Sequence, residues 1–218
     1  MGAVYRAAVA VGRVTFRVFG RLEVRGRENV PPRGPLILAA NHLSNADPPL
    51  LAVTTPRDLA FVAKRDLFAN PVSRWLFTSL NAYPVDRDRR DVGAMVWALE
   101  RLRHDGVVLV FPEGTRSRDL RLQRGQPGVA YLALRSQAPV LPVGITGTER
   151  VPSLWRLPFP FARLTVAYGQ PFTLPPLEGK VPRAVLQDLT DLIMGRIAAL
   201  LPPTHRGCYG PPAPAERG

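Results

Sequence analysis

Cysteine is almost absent from this chain: Cys208 is the only one, and it lies in a proline- and glycine-rich C-terminal stretch. That excludes an internal disulfide and a cysteine-pair zinc site, and it fits a reducing compartment. Lysine is nearly absent too. Lys64 and Lys180 stand alone, so the formal charge of +12 is carried almost wholly by arginine, against 17 acidic residues. A surplus of that size favours an anionic partner, whether a phospholipid surface, a nucleic acid or a phosphorylated substrate. No zinc-finger, RNP or recognition-helix signature accompanies it, which argues against nucleic acid. No apolar run approaches the roughly 18 residues of a membrane span. Arg6, Arg13 and Arg17 also interrupt the apolar centre that a secretory signal requires, so the chain is expected to stay in the cytoplasm. There is no Gly-x-Ser-x-Gly elbow and no His/Cys cluster at ligand spacing, so the residues suggest neither a serine nucleophile nor a bound metal.

What is present is the pattern of one α/β domain. A chain of 218 residues that is 46% hydrophobic can bury a full core without splitting. Short apolar runs at 36–40, 59–63, 83–85, 107–111, 140–145 and 164–168 predict strands, and helical spacing at 71–80, 91–104, 127–136 and 182–201 predicts helices between them. The clearest helix starts at the capping residue Asp91 and repeats Val92, Met95, Val96, Leu99 and Leu102. Continuous apolar strands separated by helices indicate a mostly parallel sheet covered on both faces, with chemistry at the carboxyl ends of its strands. Residues 1–20 read as an amphipathic helix, because Arg6, Arg13, Arg17 and Arg21 fall within about an 80° arc on a helical wheel beside Val9, Phe16 and Phe19. Such a helix lies in a membrane interface or packs on its own domain. Residues 21–201 form the domain, and 202–218 read as a disordered tail.

Two segments carry candidate chemistry. Asn41-His42-Leu43-Ser44-Asn45-Ala46-Asp47 follows the first predicted strand, and Pro48-Pro49 after it suggests a turn entering a helix. On a continuous helix residues five apart would diverge. Folding back through the turn instead brings the Asp47 carboxylate to one imidazole nitrogen of His42 and frees the other as a general base. An aspartate before proline is also a good helix N-cap, and a strand-end histidine is often only hydrogen-bonded, so this pattern alone leaves both readings open. The second segment, Phe111-Pro112-Glu113-Gly114-Thr115-Arg116-Ser117, places a turn at the end of another strand, where Arg116 can offer a forked donor to phosphate and the backbone near Gly114 can approach an anion. By itself it also fits a structural turn with a surface arginine.

Together these segments resemble the phospholipid-synthesis acyltransferases, the family of 1-acylglycerol-3-phosphate (lysophosphatidate) and glycerol-3-phosphate acyltransferases. The resemblance runs over roughly residues 20–175 in four ordered blocks. NHxxxxD corresponds to Asn41, His42 and Asp47. The second block corresponds to residues 81–87, ending in Arg87 and preceded by Phe61-Val62-Ala63-Lys64. The third, FPEGTRS, is complete, and the fourth is 140–145. The resemblance implies that His42 is the base toward the acceptor hydroxyl and that Asp47 orients it. It also implies that Arg87, Glu113, Gly114, Thr115 and Arg116 bind the phosphate and glycerol of the acceptor. The residues of the fourth block carry no side-chain chemistry and read more simply as a buried strand.

Two departures stand out. Asn81 replaces the family's usual glycine, and asparagine tolerates the left-handed backbone such a turn needs. Gln126 stands where a lysine often follows the third block, with Arg121 or Arg124 near enough in sequence to supply charge. The resemblance implies direct attack of an activated hydroxyl on an acyl thioester, with no cofactor other than acyl-CoA or acyl-carrier-protein as co-substrate. It further implies docking on the anionic inner face of the cell membrane. The expected acceptor is lysophosphatidate. Glycerol 3-phosphate, another lysolipid or a glycolipid, or a non-catalytic lipid-binding role, remain alternatives on the sequence alone.

Overall fold

The computed structural model describes residues 2–86, 91–151, 156–177, 179 and 181–210. Its strands are β1 (Arg21–Arg25), β2 (Leu36–Ala40), β3 (Leu59–Lys64), β4 (Ala82–Val85), β5 (Val107–Val110), β6 (Val140–Thr146) and β7 (Arg163–Tyr168). Its helices are α1 (Ala3–Val18), α2 (Asp47–Thr54), α3 (Pro71–Ser79), α4 (Val92–Arg103), α5 (Gly128–Ser136) and α6 (Arg183–Ala199). The strands form one sheet in the order β1-β7-β6-β2-β5-β3-β4. The five from β6 to β4 are parallel, as expected. β7 runs antiparallel to β6, and β1 parallel to β7.

The apolar strands are continuous because both of their faces are covered. Leu36, Leu38 and Ala40 of β2 point into a core shared with Leu50, Leu51 and Phe16, while Ile37 and Ala39 point into a second core with Val129, Ile193 and Met194. Each fully buried Leu or Ile contributes roughly 1.5–3 kcal/mol, and the whole of β2 is buried. Asp91 caps α4 as predicted, accepting from the Ala94 N–H at 3.0 Å. β1 is absent from the reading of apolar runs because it is an edge strand. Its sequence Arg-Leu-Glu-Val-Arg alternates charged and apolar residues, and it pairs with β7 alone.

Helix α1 packs on α2. Tyr5 and Phe16 are buried, and the Tyr5 hydroxyl accepts the Leu59 N–H at 2.9 Å. Gly12 permits the close approach, since a Cβ there would stand 2.7 Å from a Val53 methyl. The other side of the helix stays in solvent, with Val11, Val14 and Val18 all more than 60% exposed.

The C-terminal end departs from expectation. Residues 203–205 and 207–209 form short 3-10 turns. The His205 carbonyl accepts from the Leu122 N–H, and the Tyr209 hydroxyl donates to Asp191 at 2.7 Å while accepting from the Gly125 N–H. The disordered tail expected from 202 therefore does not begin there, because Tyr209 finds a half-buried partner on α6 that composition alone cannot reveal. Residues 211–218 lie outside the described residues.

Candidate active site

The site is built where β2, β5 and β6 end. Asn41 leaves β2 and is clamped to β6, its amide donating to the Ile145 carbonyl at 2.9 Å and accepting from the Ile145 N–H at 2.7 Å. The chain then turns. Ser44 Oγ donates to the Val151 carbonyl at 2.6 Å and accepts from the Ala46 N–H, and Pro48-Pro49 open α2. This turn brings Asp47 back onto His42, with Oδ2 2.7 Å from Nδ1. The same oxygen accepts the backbone N–H groups of Leu43 and Ser44 at 2.7 and 2.8 Å. Asp47 is therefore not spent as a helix cap, a position that falls to Ala46. A carboxylate oxygen holding two amides accepts a third hydrogen from the ring, so Nδ1 carries the proton and Nε2 keeps its lone pair. The imidazole is also stacked on Phe111, with centroids 4.0 Å apart and planes 17° from parallel.

The third block holds the histidine's backbone. Ser117 donates its N–H to the His42 carbonyl at 2.8 Å, and Glu113 Oε1 accepts the His42 N–H at 2.8 Å. Oε2 of Glu113 accepts from the Gln123 N–H at 2.8 Å. Both carboxylate oxygens are occupied and the residue is 4% exposed, so Glu113 is turned away from solvent. Direct contact with an acceptor's phosphate or glycerol, implied by the resemblance, is not what its geometry offers; it fastens the third block to the first. Burial pushes its pKa from 4.5 up to about 7, with the Asp47 and Asp119 charges adding to the rise and the two amide bonds opposing it. Desolvation wins because two neutral N–H dipoles do not replace a full hydration shell.

Gly114 sits at φ +71°, the left-handed turn expected of it, and its N–H donates to the Phe111 carbonyl. Thr115 and Arg116 follow on the exposed side of that turn, and the Arg116 guanidinium has no partner among the described residues. The turn therefore presents a cation with no partner among the described residues immediately before Ser117, which touches the histidine. Asn81 adopts φ 60°, so asparagine does keep the left-handed turn, and its Oδ1 accepts from Arg101 at 3.1 Å. Arg87 lies outside the described residues. The fourth block, 140–145, is wholly buried within β6. Reading the sequence alone assigns no task to Asn41, Ser44, Phe111 or Ser117. Each lies in or beside a quoted motif, and that adjacency is the only local signal they carry.

An imidazole tuned at one nitrogen and free at the other, beside a turn with an unpaired arginine, is the equipment for transferring a group to the hydroxyl of an anionic alcohol. The chain belongs to the acyltransferase family: the profile of the family described as Acyltransferase matches residues 21–146, from β1 to the end of β6. It is 29% identical over 136 residues to a chloroplastic 1-acyl-sn-glycerol-3-phosphate acyltransferase of Brassica napus, covering 61% of this chain and 39% of that one. It is 27% identical over 169 residues to the 1-acyl-sn-glycerol-3-phosphate acyltransferase of Bacillus subtilis, covering 77% and 81%. In structure it resembles the 1-acyl-sn-glycerophosphate (LPA) acyltransferase PlsC from Thermotoga maritima, with a TM-score of 0.68 and 27% identity over 87% of this chain and 76% of that one. The chain spans about two fifths of the length of the chloroplastic relatives it matches.

Proposed function

We propose that this protein transfers an acyl group from a thioester of CoA or acyl carrier protein to the free hydroxyl of lysophosphatidate, forming phosphatidate. The observation that carries the reading is the joining of the two motifs: His42 is held through its ring by Asp47 and through its backbone by Glu113 and Ser117, and Arg116 stands in the same turn. The names of the relatives favour lysophosphatidate among the phosphorylated acceptors.

In this mechanism Arg116 binds the acceptor phosphate with a forked pair of N–H donors. His42 Nε2 takes the hydroxyl proton as the oxygen attacks the thioester carbonyl, and the imidazolium is stabilised by Asp47 through Nδ1. The tetrahedral oxyanion collapses, the C–S bond breaks, and the thiolate leaves with the proton that His42 holds. The N–H groups of Thr115 and Arg116, which have no partner among the described residues, are the donors offered to the oxyanion. The protein docks as a peripheral enzyme on the inner face of the cell membrane, where acceptor and product reside. No described helix is long and apolar enough to cross a bilayer, and the exposed valines of α1 favour surface attachment.

The test is acyl transfer from one acyl-CoA to a panel of lysophosphatidate, glycerol 3-phosphate and a glycolipid acceptor. Lysophosphatidate should be preferred, and His42→Ala should lower turnover by about a hundred- to ten-thousandfold with the fold intact. Near-normal transfer by His42→Ala would remove the histidine from its role. Thioester hydrolysis that ignores the acceptor would remove the transferase reading.

A further inference from the structure

The arginine stripe of the N-terminal helix does not act as one surface. Arg13 Nε donates to the Val53 carbonyl at 3.2 Å, so it is engaged with the domain, and Arg6 lies in the first turn of the helix, far from its C-terminal end. Arg17 and Arg21 go elsewhere. Because β1 and β7 run against the strands that carry the site, their first residues, the register partners Arg21 and Arg163, emerge at the edge where β2 and β6 deliver Asn41 and Ile145. There the two arginines join Arg17 around an open cavity of about 590 Å³. Glu23 also lines it, but its carboxylate is taken by Arg25. The guanidinium groups of Arg17, Arg21 and Arg163 have no hydrogen bond or ion pair with any described residue.

Aromatic side chains rim the same cavity. The Phe19 ring meets Phe159 edge-on at 5.0 Å and Phe161 at 5.8 Å. Phe159 and Phe161, brought from the segment before β7, are 54% and 70% exposed, and Val18 beside them is 66% exposed. Three arginines beside one carboxylate that is already paired with Arg25 leave the cavity with a surplus of positive charge, which a bound anion would neutralise. Exposed rings with valine at the rim suit a ligand that is anionic at one end and apolar at the other.

We infer that this cavity seats the phosphate head group of an anionic bilayer phospholipid, with Val18, Phe159 and Phe161 entering the acyl layer. The C-terminal end of the helix thus leads the docking. β7 lies two strands from β2, about 10 Å at the usual strand spacing, so a bilayer engaged by this rim faces the mouth of the site. The inference rests on the reading that the protein works at a membrane surface, and it adds the lipid class and the residues that recognise it.

The test is co-sedimentation of the full chain with phosphatidylglycerol vesicles and with phosphatidylcholine vesicles. The wild type should bind the former, and high salt should release it. Each of Arg17→Ala, Arg21→Ala and Arg163→Ala should weaken binding about fivefold, and the triple variant about a hundredfold, whereas Arg6→Ala should change it little. Phe159→Ala with Phe161→Ala should also weaken binding to the phosphatidylglycerol vesicles. Millimolar glycerol phosphate should not displace the wild type; displacement would show a soluble phosphate site and overturn the assignment to lipid. Wild-type vesicle binding by the triple variant, or an equal loss in Arg6→Ala, would overturn it as well. Turnover on a dispersed short-chain acceptor, measured on the same variants, should be unchanged. A wild type that binds vesicles but transfers no acyl group would sink the enzymatic reading and leave the head-group site standing.

Discussion

Replacing Asp47 by asparagine separates two things that a carboxylate does for a catalytic histidine: fixing which nitrogen carries the proton, and stabilising the charge when the ring takes a second one. Oδ2 accepts three hydrogens, from His42 Nδ1, Leu43 N and Ser44 N. An asparagine must therefore put its carbonyl oxygen at that position, because an NH2 there would face two backbone N–H donors. The tautomer survives the substitution. What is lost is charge. A hydrogen bond to a charged group contributes roughly 1.5–3 kcal/mol, and a neutral one about 0.5–1.5, so the difference of about 1–1.5 kcal/mol predicts a fall in kcat near tenfold. The new NH2 takes the place of Oδ1, which is buried and has no partner among the described residues. An unsatisfied buried donor costs about 1–3 kcal/mol in stability. The assay is single-turnover acyl transfer with saturating acceptor, beside thermal unfolding of both proteins. A loss near ten-thousandfold, the scale seen when an asparagine inverts the histidine tautomer, would refute the claim that Leu43 and Ser44 pin the oxygen. No loss at all would mean that the Asp47 charge is irrelevant to the reaction.

Glu113 makes a prediction about pH. Its folded pKa of about 7 lies above the ordinary 4.5, so the fold binds its proton more tightly than the unfolded chain does. The associated stability is fully present below about pH 4.5 and is lost as pH rises through about 7, worth about 3 kcal/mol in total. Glu113→Gln abolishes this titration, so the unfolding free energy of the wild type minus that of the variant should shrink by that order across the window; a constant difference from pH 4.5 to 7.5 would refute it. Arg116→Ala should raise KM for the phosphorylated acceptor by an amount worth about 1.5–3 kcal/mol with KM for the thioester nearly unchanged. Equal weakening toward a phosphate-free acceptor analogue would show that Arg116 does not read phosphate.

Where residues act through their own neighbours in the chain, the sequence by itself determined the outcome. The apolar runs of β2, β5 and β6 require burial on both faces and hence a covered sheet. Asp91 could cap α4 because a cap binds an N–H three residues on. Asn81 could replace glycine because the left-handed backbone is a property of one residue. The His42–Asp47 contact was legible for the same reason, since a loop of four residues opening onto Pro48-Pro49 has few ways to fold except back on itself. Tertiary structure decided what lies between distant residues. Glu113 looks like a ligand-binding carboxylate in its motif, and only the crossing of the β2 and β5 ends, 71 residues apart in the chain, turns it inward onto the His42 amide. The four arginines of the first helix are equivalent on a helical wheel. They differ in the fold because α2 offers Arg13 a carbonyl, while the reversed direction of β1 and β7 carries Arg17 and Arg21 to Arg163 and to two phenylalanines that lie some 140 residues further along the chain. No periodicity encodes such a meeting, because it depends on strand order and direction, which are set by how the two cores close over the sheet and not by any one segment.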